Sequence, residues 1–240
     1  MTLKPGDAAR LIRQTRSDNT VLVGGQAVAF WSDYFGLRSR LAALTVDIDF
    51  LGTRSDARSA SARLTLAHRL HLATPEDLPN TATLAVELKR YPEPVLIDYL
   101  SAVIGVDSAE IVRSAVTVAV GGATFKVIHP VQLLKSKLWN LYRLPGKRSA
   151  AGIEQARLSV EVVAAFLRTA GLKRREMLKT IEAAGKFAAT APARYAREEY
   201  RVNFLDAIAA EVLRPGVLPA AFRERRWPQI VAAAQRSRAR

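Results

Sequence analysis

Apolar residues alternate with polar ones over short runs in the first part of the chain and recur at helical spacing in the second. Residues 6–16 place Ala8, Leu11 and Ile12 on one face of a short amphipathic helix. TVLVGG then reads as a buried strand (Val21, Leu22, Val23) entering a double-glycine turn. QAVAFWSDYFG follows with helical spacing and a stop at Gly36. TVDIDFLG at 45–52 alternates strictly, which predicts Val46, Ile48 and Phe50 on one side of a strand and Asp47 and Asp49 on the other. Residues 55–70 favour helix and run into the loop TPEDLPN. ATLAVEL (82–88) and PVLIDYL (94–100) are strand candidates joined by KRYPE. TVAVGGATFKVIHP (117–130) has the form of a hairpin turning at Gly121-Gly122.

After Pro130 the strand pattern stops. Helices are expected over about 131–143, 150–170, 173–189, 193–213 and near 219–238. In the second of these, Ile153, Ala156, Val160, Val163, Ala164 and Leu167 recur at helical spacing. The chain is therefore expected to divide at His129-Pro130, with an α+β part over 1–129 and a helical part over 130–240.

Charge follows the same division. The 240 residues carry a formal net charge of +14. Residues 1–129 hold 14 Lys and Arg against 13 Asp and Glu, whereas residues 130–240 hold 22 against 9. Almost all the excess lies in the helical part, which predicts an anionic partner there, RNA such as tRNA or an acidic protein. Solvated helix faces such as KRRE at 173–176 and RERR at 223–226 are the plainer account of part of it. No cysteine is present, which excludes a disulfide framework and a thiolate metal site. No apolar run approaches the roughly 20 residues that span a bilayer, and MTLKPGDAARLIRQTR lacks a secretory apolar stretch. No membrane partner and a cytoplasmic location are the expectations.

Candidate chemistry concentrates in strand, Gly-Gly, helix, loop, then a strand bearing Asp-x-Asp. Aspartates at i and i+2 project from one face of a strand, so Asp47 and Asp49 would converge on one hard divalent cation. Magnesium prefers oxygen ligands and commonly binds through one or two carboxylates plus substrate phosphates. Gly24-Gly25 opening a helix would present backbone N–H groups to a phosphate, with Gln26 beside them. Asp98, in LIDYL, is the third acid, with Glu87 on the preceding strand as its competitor. His68, His71 and His129 are too scattered for a metal cluster, and Trp31, Trp139 and Tyr142 read as packing residues.

Gly24-Gly25-Gln26, Asp47-Ile48-Asp49-Phe50 and Ile97-Asp98 together resemble the signature of the DNA-polymerase-β-like nucleotidyltransferases, in particular minimal bacterial members such as the AbiEii-type toxins. The resemblance covers roughly residues 18–145. It implies a small mixed sheet flanked by helices, a helical C-terminal part, and metal-dependent transfer of a nucleoside monophosphate from a triphosphate to a hydroxyl acceptor. Asp47, Asp49 and Asp98 would hold magnesium or manganese. Lys137 in HPVQLLKSKLWNLYR, with Lys135 as the less favoured neighbour, would meet the nucleotide phosphates. An antitoxin protein partner is implied for a toxin–antitoxin setting. Where some toxin-like relatives carry Arg-Asp-x-x-Asp, this chain has GKRSAAGIEQARLSV and keeps only Glu154. The alternative is a nucleotidyltransferase-type fold without turnover, binding nucleic acid or protein through its basic half.

Overall fold

The computed structural model describes residues 3–37, 46–120, 122–169, 171–208, 210–214 and 216–236. The fold is α+β: a mixed seven-stranded sheet with helices, followed by a helical region. The first part runs α1 (Pro5–Thr15), β1 (Val21–Val23), α2 (Gly24–Tyr34), β2 (Ile48–Leu51), α3 (Arg54–Arg63), β3 (His68–Leu72), β4 (Asn80–Val86), β5 (Val95–Leu100), α4 (Ser108–Ser114), β6 (Val116–Val120) and β7 (Ala123–Val127). The helical region holds α5 (Pro130–Arg143), α6 (Ala150–Thr169), α7 (Arg174–Ala188), α8 (Ala191–Tyr200) and α9 (Trp227–Gln235). Two compact units divide between Leu133 and Leu134, inside the first turns of α5, and residues 35–37 group with the second. The change of pattern at residue 130 marks the start of that helix.

Strand order in the sheet is β3-β4-β5-β2-β1-β7-β6. β2 runs antiparallel to β1 and parallel to β5, and β1 runs parallel to β7. Val21, Leu22 and Val23 are all buried, as the run of three apolar residues requires of a central strand. On one face of the central strands Ile48, Phe50, Ile97 and Tyr99 are each at most 1% exposed. Each such side chain contributes about 1.5–3 kcal/mol by leaving water. Tyr99 reaches further: its hydroxyl donates to Thr15 O at 2.7 Å, and burial pushes the phenol well above its ordinary pKa. Trp31 ties α2 to the sheet, its indole N–H donating to Ile128 O at 2.9 Å.

Several elements depart from the sequence pattern. The helix expected over 55–70 stops at Arg63, and His68–Leu72 forms edge strand β3, paired antiparallel with β4 from His68↔Val86 to Leu72↔Ala82. The ladder to β4 satisfies those backbone groups, and tertiary pairing overrides local preference. α4 has no counterpart among the helices that the sequence pattern predicts. Val46 precedes β2 and is 46% exposed, so it does not share the buried side with Ile48 and Phe50. The helix expected over 193–213 ends at Tyr200, because Arg201 adopts φ 55° and Val202 N–H donates back to Ala196 O at 3.1 Å. The last helical segment does follow the pattern expected near 219–238, a π-helical turn at Phe222–Arg226 leading directly into Trp227–Gln235. β6 and β7 form the expected hairpin; Gly121 lies outside the described residues.

The β2–α3 junction shows how one side chain closes a helix end. Asp56, 8% exposed, accepts from Thr53 N (2.9 Å), Thr53 Oγ1 (2.6 Å) and Ser17 Oγ (2.7 Å), while Thr53 Oγ1 accepts from Asp56 N. This is a capping box. Burial alone would raise the Asp56 pKa, but the bonds from Thr53 and Ser17, with the Arg63 charge, outweigh it and hold the carboxyl below its ordinary value. Such a group stabilises the fold above its unfolded pKa of about 3.9 and loses that contribution as pH falls through the lower folded value. Asp56→Ala is expected to cost about 1–2 kcal/mol near neutrality. Urea unfolding between about pH 7 and about pH 3 should show the gap to the parent narrowing at the acid end; a gap independent of pH would contradict an ionised cap.

Candidate functional site

β1 ends at Val23, which lies opposite Asp49 in the antiparallel ladder, and the next residue, Gly24, is already the first residue of α2. The Asp49 carboxylate fills the space that a side chain on Gly24 would need. A Cβ there would lie 1.8 Å from Asp49 Oδ2 and 2.7 Å from its Cγ. Gly24 also has φ +67°, in the left-handed region. Two independent constraints thus demand glycine at the junction. The first turn of α2 contains no acidic residue, so the carboxylate standing at the positive end of this 11-residue helix comes from the neighbouring strand. Gly25 and Gln26 are buried within that first turn.

On the other side of β2, Asp49 is in register with Asp98 of the parallel strand β5. In-register side chains on neighbouring strands, about 4.8 Å apart, share a face of the sheet. The flanking pairs Ile48↔Ile97 and Phe50↔Tyr99 turn to the opposite, buried face. Both aspartates are half-buried. Asp98 is oriented from its far side by β4: its Oδ1 accepts from Thr83 Oγ1 at 2.5 Å and from Asn80 Nδ2 at 3.2 Å. Thr83 is the register partner of Asp98. The other carboxylate oxygen, Asp98 Oδ2, accepts no hydrogen bond from the described residues.

The remaining predicted residues divide between the units. Asp47, half-buried, comes just before the first residue of β2, so it lies outside the ladder that aligns Asp49 with Asp98. Among the described residues no group of three or more His, Cys, Asp or Glu side chains is drawn together as a metal cage. Glu87 lies past the end of β4 and pairs with Arg69 at 3.9 Å, away from the Asp98 position. Lys137 belongs to the second unit. It is 6% exposed, not a solvated lysine, and its Nζ donates to Gln155 Oε1 of α6 at 2.7 Å. Lys135 is half-buried, with its Nζ 5.9 Å from the Phe187 ring centroid. Glu154 pairs with Arg157 on its own helix at 3.8 Å. An 820 Å³ cleft beyond the ends of β2 and β5, lined by residues including Leu51, Gly52, Arg54, Leu100 and Arg113, contains none of the predicted residues.

Sequence reasoning missed Thr83, Asn80 and Gln155. Thr83 lies in a strand that the alternation of ATLAVEL identifies, but only the β4–β5 register puts it opposite Asp98. Gln155 had no signal beyond its neighbour Glu154.

The donor set fits magnesium or manganese, since two carboxylates on one face supply hard oxygen ligands, while the space beside Gly24 at the start of α2 is taken by the Asp49 carboxylate itself. No protein-family model and no curated protein matches this sequence.

The Gly24 junction is open to a direct check. Gly24→Ala is expected to destabilise the protein by at least about 1–3 kcal/mol, the range for a strained backbone position. Gly6→Ala, whose added Cβ meets nothing within 4 Å, should be neutral or slightly stabilising. Urea unfolding of the Gly24→Ala and Asp49→Ala single variants and their combination would reveal coupling, since removing the carboxylate relieves part of the clash. Strict additivity would mean that the two residues do not share the space.

Proposed function

We propose that the protein is a metal-dependent nucleotidyltransferase, moving a nucleoside monophosphate from a nucleoside triphosphate to a hydroxyl acceptor. The observation that carries this reading is the in-register pair Asp49–Asp98, on one face of the sheet, with Asp49 packed against Gly24 at the start of α2. The sequence resemblance to the polymerase-β-like nucleotidyltransferases, which rests on the same residues, is consistent with it. An electrostatic argument points the same way. The N-terminus of α2 attracts anions, but the Asp49 carboxylate already stands there. A triphosphate approaching the same place meets like charge, which a divalent cation between them relieves.

Asp49 and Asp98, joined by Asp47, would hold the metal, which supplies charge neutralisation for the phosphates. In the transfer, the acceptor oxygen forms a bond to the α-phosphorus. The bond from that phosphorus to the oxygen bridging to the β-phosphate breaks, and pyrophosphate leaves. Asp98 Oδ2 takes the acceptor proton, while Thr83 and Asn80 hold Oδ1 and thereby fix the orientation of the carboxylate. N–H groups of Gly24 and Gly25 cradle phosphate oxygens. The resemblance alone would give Lys137 the role of offsetting charge on the departing pyrophosphate.

A thermal-shift titration with each of the four ribonucleoside triphosphates, with and without magnesium, tests the site. Ligand at about 100 times its Kd stabilises the folded state by about 2.7 kcal/mol, a rise of several degrees. The rise should require magnesium and disappear in the Asp47→Asn/Asp49→Asn variant. Pyrophosphate release should fall at least about 100-fold in Asp49→Asn or Asp98→Asn, the scale of several kcal/mol of lost charge stabilisation. Undiminished turnover in the Asp49→Asn/Asp98→Asn double variant would end the assignment. Thr83→Val should lower turnover with little effect on the Km for the triphosphate, and Thr83→Ser should restore it; a pure Km effect would remove Thr83 from this role.

The second reading is a fold of this type without turnover that binds nucleic acid or protein through its basic half. It draws on the charge excess of residues 130–240 and on the absence of a three-acid cage among the described residues. RNA binding accompanied by no magnesium-dependent nucleotide shift would favour it.

A further inference from the structure

The charge excess of residues 130–240 calls for an anionic partner without saying where it docks. Within the second unit, one surface combines cations with open aromatic rings. Trp139 and Tyr142 of α5 and Tyr195 and Tyr200 of α8 form a chain of edge-to-face contacts, with centroids 5.8, 5.6 and 5.7 Å apart in that order. All four rings are half-buried, so each keeps part of its surface in solvent. The Arg143 guanidinium lies 5.7 Å from the Trp139 centroid and 5.5 Å from that of Tyr142, and Arg148 lies 5.4 Å from that of Tyr195.

The Tyr142–Tyr195 contact joins α5 to α8. Helix capping explains Arg148, whose Nε and Nη2 donate to Leu141 O at 2.9 Å and Tyr142 O at 3.0 Å. Neither accounts for Arg143 and Lys147. Both are exposed, and the cationic group of neither hydrogen-bonds or ion-pairs with any described residue. The segment RLPGKRS, residues 143–149, contains no acid at all. Two exposed guanidinium groups, those of Arg143 and Arg148, thus lie against the row of rings, with exposed Lys147 next to Arg148 in the chain and the acid Glu199 only at the Tyr200 end.

We infer that this Trp139–Tyr142–Arg143–Lys147–Tyr195 surface is a docking site for single-stranded RNA. The partner must offer negative charge to Arg143 and Lys147 and flat faces to the rings and the guanidinium plane. Phosphates and unpaired bases offer both. Duplex DNA offers the phosphates but keeps its base faces stacked, whereas unpaired bases are what RNA loops and ends present. An apolar protein or membrane partner fits less well. Among the described residues of the second unit, Val217 is the exposed large apolar side chain, and no aliphatic patch adjoins the rings. The inference does not rest on the transferase reading, since it concerns the second unit alone.

Fluorescence anisotropy of the full chain with a labelled single-stranded RNA of about 20 nucleotides tests it. The Arg143→Ala/Lys147→Ala variant should bind at least about 10-fold more weakly and show a shallower dependence on salt. Arg143→Lys keeps the charge and loses the stacking plane, so its affinity should fall between the two. These side chains are exposed, so the substitutions should leave the circular dichroism spectrum and melting temperature unchanged. The control is Lys179→Ala/Lys186→Ala, which removes the same charge from exposed positions on α7. An equal loss in the control would overturn the proposal, because it would make the binding a property of net charge alone. So would duplex DNA binding as tightly as the single strand, or no RNA binding at all.

Discussion

A carboxylate occupying the space of a missing side chain ties the first unit together. Asp49 can stand where it does only because Gly24 has no Cβ, and α2 can leave β1 without an intervening loop only because Gly24 accepts φ +67°. The same contact brings a negative charge to the positive end of α2, which has no acid of its own in its first turn. Strand pairing, helix direction and charge placement therefore meet in two residues. A change at either one is felt by β1, β2 and α2 together.

From that junction the register of the sheet carries the arrangement outward. Val23 fixes Asp49, Asp49 fixes Asp98, and Asp98 is matched by Thr83 on β4. Alternation sends Ile48, Phe50, Ile97 and Tyr99 into the core, and their burial holds the register, because a slip by one residue would place Asp49 and Asp98 there instead. The apolar face thus supplies the precision of the polar face. Two carboxylates side by side repel, and the hydroxyl of Thr83 and the amide of Asn80 offset part of that cost at Asp98.

These relations explain what was legible in the sequence. The alternation of Asp47, Ile48 and Asp49 and the glycine pair were visible because each is a local pattern. The α+β character and the change to helices after Pro130 were visible for the same reason. Asp98 could be separated from Glu87 only by its apolar neighbours, and register explains why it is the one aligned with Asp49. Non-local pairings stayed hidden. His68–Leu72 is a strand because β4 lies beside it, and Thr83 matters because of what faces it across a ladder. α8 ends at Arg201 through a left-handed residue that is not glycine, which removes the usual signal. The burial of Lys137 depends on the packing of α5, which lysine content cannot reveal.

Net charge needs the same separation of causes. Residues 130–240 carry an excess of 13 cations, yet several of the arginines have structural employment. Arg148 closes the end of α5, Arg157 donates to Tyr200 O at the end of α8, Arg194 donates to Ala189 O and Arg197 to Ala234 O. Carbonyl groups at helix ends need donors, and the planar guanidinium reaches more than one at a time. Arginine rather than lysine is what such a role selects, so part of the excess follows from building a bundle of short helices. The cations without such bonds are a smaller set, and it includes Lys147 and Arg143, the latter lying against two half-buried rings. A partner is therefore better located by asking which cations the fold leaves unused than by asking where they are most numerous.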